Sequence, residues 1–258
     1  MNAVRATTVL VTGGTGTLGT PTVSLLRAAG HDVRVLSRST DRSTVPGLVT
    51  GDLTTGAGLR EAFDGVGVVL HLATRGPRAD VEMGRHVVTA AREASVGHVV
   101  FQSIVGVDRI PLGYYRAKVE VESMLAGSGL PHSVLRATQF PQLVVGLFTA
   151  QRFSPVLLTP ALQVQPIAVP DVAARLVEIV AAGPSGRVAD IGGPERITGR
   201  EAARAWARAT GSRREVVRVR VPGRTFAAFA AGHHLVPGKP YGTGTYGQYL
   251  LERYGSGR

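Results

Sequence analysis

No cysteine occurs anywhere in the 258 residues. That single absence excludes disulfides, thiolate-held zinc, iron–sulfur clusters and a cysteine nucleophile. Lysine is nearly missing too: of 29 basic residues only Lys118 and Lys239 are lysines, and the rest are arginines. No apolar run is long enough to cross a bilayer, since Val144 to Leu158 is interrupted by Gln151, Arg152 and Pro155. Met1 to Arg5 precede an apolar run, Thr8 to Val11, too short for the core of a signal peptide. A soluble, cytoplasmic protein without a membrane partner is expected. Acidic residues are few, 18 in all, which leaves a formal charge of +11. Such an excess fits nucleic acid, anionic ligands or an arginine-rich coding bias.

What is present is ordinary globular material, 44% hydrophobic and 18% charged. At this length one large α/β domain, or one domain with a small second lobe, is the expectation. Thr7 to Val11, Asp32 to Leu36, Val66 to Leu72, His98 to Phe101 and Ser133 to Leu135 read as strands. Leu18 to Ala29, Leu59 to Phe63, Val81 to Ala94 and Tyr114 to Leu125 read as the helices between them. Alternation at this spacing predicts a Rossmann-type, doubly wound α/β fold with a parallel sheet. From about Gln142 the pattern loosens, with prolines at 155, 160, 166 and 170. The reading is a dinucleotide-binding domain over 1–150 and a smaller substrate lobe over 151–258, with a strand near 188–191 returning to the main sheet.

Directly after the first strand comes Thr12-Gly13-Gly14-Thr15-Gly16-Thr17-Leu18-Gly19, opening a helix. Gly13, Gly16 and Gly19 satisfy G-x-x-G-x-x-G, and Gly14, Gly16 and Gly19 satisfy G-x-G-x-x-G. A pyrophosphate needs such a tight turn, close backbone approach and a free helix N-terminus. The strand before and the helix after are the context that gives the motif its meaning. After the second strand stands Arg38, with no carboxylate until Asp41. A basic residue there suits the 2′-phosphate of NADP, where NAD sites place an acid. Arginine's forked donors match a phosphate, so NADP(H) rather than NAD is the expected cofactor.

These residues, with Gly51-Asp52-Leu53, His71-Leu72-Ala73-Thr74 and Tyr114-Tyr115-Arg116-Ala117-Lys118, resemble the atypical short-chain dehydrogenase/reductases. The branch they resemble is the NmrA-like, NAD(P)-binding one, and the likeness continues through Leu135 to Phe140, Val169 to Ala173 and Asp190 to Glu195. The resemblance implies that Asp52 and Leu53 lie against the adenine, Ala73 and Thr74 along the ribose, and Thr138 to Phe140 beside the nicotinamide. By propensity alone Asp52 reads equally as a turn-capping carboxylate. Members of the branch range from reductases to regulators without catalysis.

Tyr114 and Lys118 stand four apart, so a helix puts them on one face. A phenol is a poor acid at neutral pH, and an ammonium one turn away favours its ionised form. That pairing lets a tyrosine exchange a proton with a substrate oxygen. A lysine where arginine supplies 27 of the 29 basic side chains marks the position as chemically specific, because a compact ammonium is not interchangeable with a guanidinium. By resemblance Ser103 completes a Ser-Tyr-Lys set, although it lies only 11 residues before Tyr114. Tyr115 competes with Tyr114 for the pocket. Packing tyrosines beside a snorkelling lysine are the plainer alternative.

No H-E-x-x-H pattern or other ligand spacing appears among the seven histidines, and no metal is expected. There is no G-x-S-x-G elbow. Phe226, Phe229, Tyr241, Tyr246 and Tyr249 read as pocket lining or, more ordinarily, as lobe core. Nine arginines and two glutamates fall between Arg196 and Arg224, with Arg200, Arg204 and Arg208 in one stripe. No nucleic-acid motif accompanies the stripe, so a solvated face without specific nucleic-acid binding is expected. The expected function is an NADP(H)-dependent oxidoreductase acting on a small carbonyl, enone or quinone-like molecule. A noncatalytic NADP(H) sensor and a redox-neutral enzyme such as an epimerase are the alternatives. The oligomeric state is not readable.

Overall fold

Short β-branched runs become strands, and the glycine-ended segments between them become helices. The computed structural model describes residues 7–41 and 45–255. The leader reading of Met1 to Arg5 lies outside the described residues. In chain order the elements are β1 (Thr8–Thr12), α1 (Gly19–Ala28), β2 (Asp32–Ser37), β3 (Leu48–Thr50), α2 (Leu59–Phe63), β4 (Val68–His71) and α3 (Pro77–Glu93). Next come β5 (His98–Ile104), α4 (Gly113–Gly127), β6 (His132–Ala137), α5 (Pro141–Thr149), β7 (Val156–Pro160), β8 (Gln163–Val164) and α6 (Val169–Ala182). The chain closes with β9 (Gly186–Arg187), β10 (Ile197–Thr198), α7 (Gly199–Thr210), β11 (Glu215–Val219), α8 (Arg224–Ala230) and α9 (Tyr246–Tyr254). Two compact units result. Unit 1 takes the described residues of Met1–Ser103, Gly113–Arg136 and Ala173–Ala189; unit 2 takes those of Ile104–Leu112, Ala137–Val172 and Asp190–Arg258.

Unit 1 is built on a seven-stranded sheet of order β3-β2-β1-β4-β5-β6-β9. Thr8 of β1 stands opposite Asp32 of β2, and Val9 opposite Val68 of β4, both in parallel register. The strand order reverses between β1 and β4, and the crevice at the carboxyl ends of such strands is where doubly wound sheets bind ligands. Val9, Leu10, Val11, Val69 and Leu70 are wholly buried, as expected of strands covered on both faces. A strand over Val188 to Ile191 is expected from sequence. The ladder instead forms at Gly186–Arg187, beside Ser133 and Val134 of β6, and Ile191 makes one isolated bridge to Ala137. Pairing opens at Gly186, whose φ of +67° turns the chain onto the sheet edge, a conformation glycine adopts without a Cβ penalty.

α3 and α4 pack closely against each other. A Cβ at Gly84 would stand 2.7 Å from Val121 Cγ2, so only glycine lets the two helices approach this far. One turn nearer the N-termini, the same approach brings Asp80 of α3 beside Lys118 of α4. Arg136 of β6 grips Glu122 of α4 with two hydrogen bonds of 2.9 and 2.6 Å, fixing α4 against the sheet.

In unit 2, β7 pairs in parallel with β11, and β8 runs antiparallel to β10. Pro141 opens α5, where a missing N–H costs nothing. Phe148, Leu157, Trp206 and Tyr246 anchor the core. Tyr246 is 1% exposed, so it is core; Tyr241 and Tyr249 are half-buried. Among the described residues no helix is long and apolar enough to cross a membrane.

Candidate functional site

The glycine loop leaves β1 at the switch point and enters α1. Gly13 takes φ +68°, and a Cβ there would meet Ala73 N at 2.8 Å. A Cβ on Gly19 would lie 2.1 Å from Gly13 O, and one on Gly14 would press on Val35 at 2.8 Å. The loop is closed by Gly16 N–H donating to Gly13 O at 3.0 Å. Thr15, Gly16 and Thr17 face solvent, while Leu18 is buried as the residue before α1. No side chain caps α1 and its first turn holds no acid; Thr20 and Thr22 N–H donate to Gly16 O and Leu18 O and Pro21 has none, so what the turn offers an anion is chiefly its positive dipole end. This cradle fits a dinucleotide pyrophosphate.

Arg38 is exposed on the first residue past β2. Asp52 is half-buried, and its Oδ1 accepts the Thr54 N–H at 2.7 Å. That bond chiefly holds its carboxyl below the usual range; burial opposes it, and the Thr54 hydroxyl, Arg38 and Arg75 add to it. Turn capping by Asp52 is therefore real, and Arg38 lies near enough for its charge to act on the same carboxyl. The side chain of Leu53 is core, and its carbonyl accepts from His86 Nδ1 at 2.7 Å.

The tyrosine and lysine share one face of α4, as their spacing requires, but they do not meet alone. Tyr114 is half-buried with its hydroxyl 3.3 Å from Thr74 Oγ1, whereas Tyr115 is buried and pushed up to about 12 by desolvation with Tyr114 adding. Of the two, Tyr114 carries the accessible phenol. Lys118 is only 4% exposed; its Nζ lies 5.1 Å from the Phe101 ring centre and 5.6 Å from that of Tyr114. Its partner is the Asp80 carboxylate, Oδ2 at 3.5 Å. Asp80, 2% exposed, also accepts the Thr74 hydroxyl at 2.7 Å and the N–H groups of Arg75 and Gly76 at 2.7 and 3.1 Å.

Sequence reasoning missed Asp80. Its one signal was a lone acid in the first turn after Gly76-Pro77, which reads equally well as a helix-dipole residue. Thr74, expected along a ribose, is held within this network, and Ala73 is half-buried with its N–H 3.3 Å from Thr12 Oγ1. Thr12 Oγ1 accepts from Leu72 and Ala73 N–H and lies 2.8 Å from His71 Nδ1, so its own proton goes to the imidazole. Burial, reinforced by Lys118 and opposed by Asp80, pushes His71 down to about 3. His71 is thus neutral and stacks on Phe101 at 5.5 Å.

Ser103 is fully buried on β5, two residues after Phe101 and on the same face, and its hydroxyl has no hydrogen-bond partner. Thr138 and Phe140 belong to unit 2, where the Thr138 hydroxyl donates to Gln165 O at 2.6 Å and Phe140 precedes α5. His234 Nε2 donates to Gln163 O at 2.7 Å and packs edge-on to Phe229. The stripe of Arg200, Arg204 and Arg208 is exposed on α7, opposite the buried Ala202, Ala203 and Trp206.

Residues 5–237 match the model of the NmrA-like family. A reductase of (4-alkanoyl-5-oxo-2,5-dihydrofuran-3-yl)methyl phosphate from Streptomyces griseus is 32% identical over 75% of this chain and 70% of its own length. Further curated relatives are matched over 40% to 56% of their length, so the chain spans about half of each. Among solved structures, the NADPH-dependent quinone oxidoreductase of Escherichia coli in complex with NADPH superimposes at TM-score 0.81 and 20% identity, covering 95% of this chain and 99% of that one. The Citrobacter triphenylmethane reductase bound to NADP(H) gives 0.76 at 18% identity, over 96% and 99%. Both likenesses confirm the doubly wound fold.

Proposed function

Since the chain belongs to the NmrA-like family, we propose that it is an NADP(H)-dependent oxidoreductase of the atypical short-chain type, reducing a small carbonyl, enone or quinone-like molecule. The observation that carries the reading is the phenol of Tyr114 set beside the buried ammonium of Lys118 in the unit that holds the glycine cradle. The names of the relatives support the substrate class, since they include an oxo-dihydrofuran and a quinone. Structures that superimpose on the chain carry NADPH or NADP(H).

In this reading Gly13 to Gly19 and the α1 N-terminus hold the pyrophosphate, and Arg38 takes the 2′-phosphate. Asp52 and Leu53 border the adenine, and Ala73, Thr74 and Lys118 face the ribose. When bound, NADPH supplies the reducing equivalent as hydride. Tyr114 delivers its phenolic proton to the substrate oxygen that becomes negative, and Lys118 stabilises the phenolate left behind. Ser103, with its hydroxyl unspent, orients the same oxygen. Burial of Lys118 beneath two rings keeps water from screening its charge.

The test is NADPH consumption across a panel of quinones, enones and ketones, repeated with Tyr114→Phe. Turnover should fall about 100-fold with NADPH affinity unchanged, because only the proton donor is removed. Unchanged turnover takes the tyrosine out of the mechanism. Tight NADPH binding with no acceptor consumed throughout the panel makes the protein a sensor instead.

A further inference from the structure

Thr74 has one hydroxyl proton, and it is spent on Asp80 Oδ2 at 2.7 Å. A threonine oxygen that has given its proton to a carboxylate can only accept from a third group. At 3.3 Å that group is the Tyr114 phenol, which must therefore be the donor. Lys118 Nζ approaches the same Oδ2 at 3.5 Å. The other oxygen, Oδ1, is fully engaged by the Arg75 and Gly76 N–H groups, so the carboxylate cannot rotate away. One buried acid thus sets the direction of a hydrogen-bond chain that runs from Tyr114 through Thr74 to Asp80 and ends at Lys118.

We infer that Asp80 is the positioning residue of the site: it holds Tyr114 in the proton-donating orientation and clamps Lys118 beneath the tyrosine ring. The inference rests on the reductase reading for its kinetic consequence, not for the clamp itself. Before substrate arrives, the phenolic proton points at Thr74 rather than lying with the ammonium. A substrate oxygen replacing Thr74 as acceptor then meets a proton already presented. No bond is made or broken by Asp80, which neither touches the substrate nor transfers a proton. His71 and Lys118 are the titratable groups whose charge Asp80 meets, while the Arg75 guanidinium reaches instead to Thr54 Oγ1 at 3.3 Å.

Asp80→Asn is isosteric and sharp. Its carbonyl must remain on the two backbone N–H groups, which forces the amide nitrogen toward Thr74 and Lys118. That nitrogen donates to Thr74, the threonine proton swings to the phenol oxygen, and Tyr114 becomes an acceptor; the ammonium loses its anchor. For reduction, kcat should fall roughly 10-fold or more with KM little changed. Thr74→Val should lower kcat comparably and add little to Asp80→Asn, whereas Thr74→Ser, keeping the hydroxyl, should restore it. The Thr74 variants alter one hydroxyl or one methyl and guard against an Asp80 variant that fails to fold.

The second readout needs neither cofactor nor turnover. With only two lysines, acylation by acetic anhydride followed by mass spectrometry compares Lys118 with the exposed Lys239 in the same molecule. Wild type and Thr74→Val should leave Lys118 protected. Asp80→Asn should raise its labelling relative to Lys239 by about 10-fold as the paired ammonium is freed. Equal labelling of Lys118 in wild type and Asp80→Asn overturns the clamp. An active wild type whose Asp80→Asn and Thr74→Val forms keep its kcat overturns the positioning role alone. A wild type that consumes no NADPH defeats the reductase reading and leaves the labelling to decide the inference.

Discussion

Arg38 and Lys118 carry the same charge and do different work. Arg38 is exposed and free to fork onto a terminal phosphate, while Lys118 is sealed under two rings against a carboxylate. Replacing Arg38 by serine should therefore weaken NADPH binding about 10-fold to 100-fold, the scale of a charged hydrogen bond, and leave NADH nearly untouched. A fluorescence titration with both cofactors decides it; parallel losses would mean that Arg38 does not read the 2′-phosphate. The local geometry of the candidate site is legible at this scale. The glycine turn, the exposed position of Arg38 past β2 and the helix face shared by Tyr114 and the rare lysine follow from residue type and short spacing, because each is local. Asp80 was not legible. Nothing in its own neighbourhood distinguishes an acid that favours a helix dipole from one that anchors a distant ammonium, and the distinction depends on which helix packs alongside.

Among the elements, α3 and α4 show how packing makes that distinction. Gly84 admits Val121, and the pair of side chains one turn away becomes a buried ion pair as a consequence. A buried pair is costly to break because the remaining charge has no water to turn to. Elsewhere the elements behave as their local chemistry dictates. Thr198 and Glu201 form a reciprocal capping box on α7, the Thr198 Oγ1 accepting the Glu201 N–H at 3.2 Å. Thr198→Ala should cost about 1 kcal/mol of stability, measured by chemical denaturation of the whole chain, with no change in NADPH affinity. A loss of affinity would show that α7 is coupled to the cofactor. The arginine stripe on the opposite side of Trp206 remains a solvent-facing charge, as its spacing alone suggests.

Over the whole molecule, buried histidines link stability to pH. His71 is held down to about 3 and His98 to about 4, both chiefly by burial, and His234 is lowered for the same reason. Each binds a proton more readily unfolded than folded. Their contribution is complete above the unfolded value of 6.5 and is lost as pH falls from there toward 4 and 3. Each histidine kept neutral contributes a slope of up to about 1.4 kcal/mol per pH unit within that window. Thermal unfolding should be flat just above pH 7 and decline steadily below 6.5, with His71→Asn flattening the decline; a constant Tm down to pH 5 would contradict it. Acidification also adds protons to a chain that already carries +11, and self-repulsion works in the same direction.

The sequence by itself determined the alternation of strands and helices, the parallel sheet, the tight glycine loop and the face shared by Tyr114 and Lys118. These follow from period, turn chemistry and residue size, which act over a few residues. Tertiary structure alone decided that β9 begins at Gly186 rather than Val188, that Tyr246 is core, that Tyr115 is sealed while Tyr114 is open, and that Asp80 stands beside Lys118. Each of those outcomes is fixed by burial and by contacts between segments far apart in the chain. Burial is a property of the assembled layers, and no local pattern encodes it.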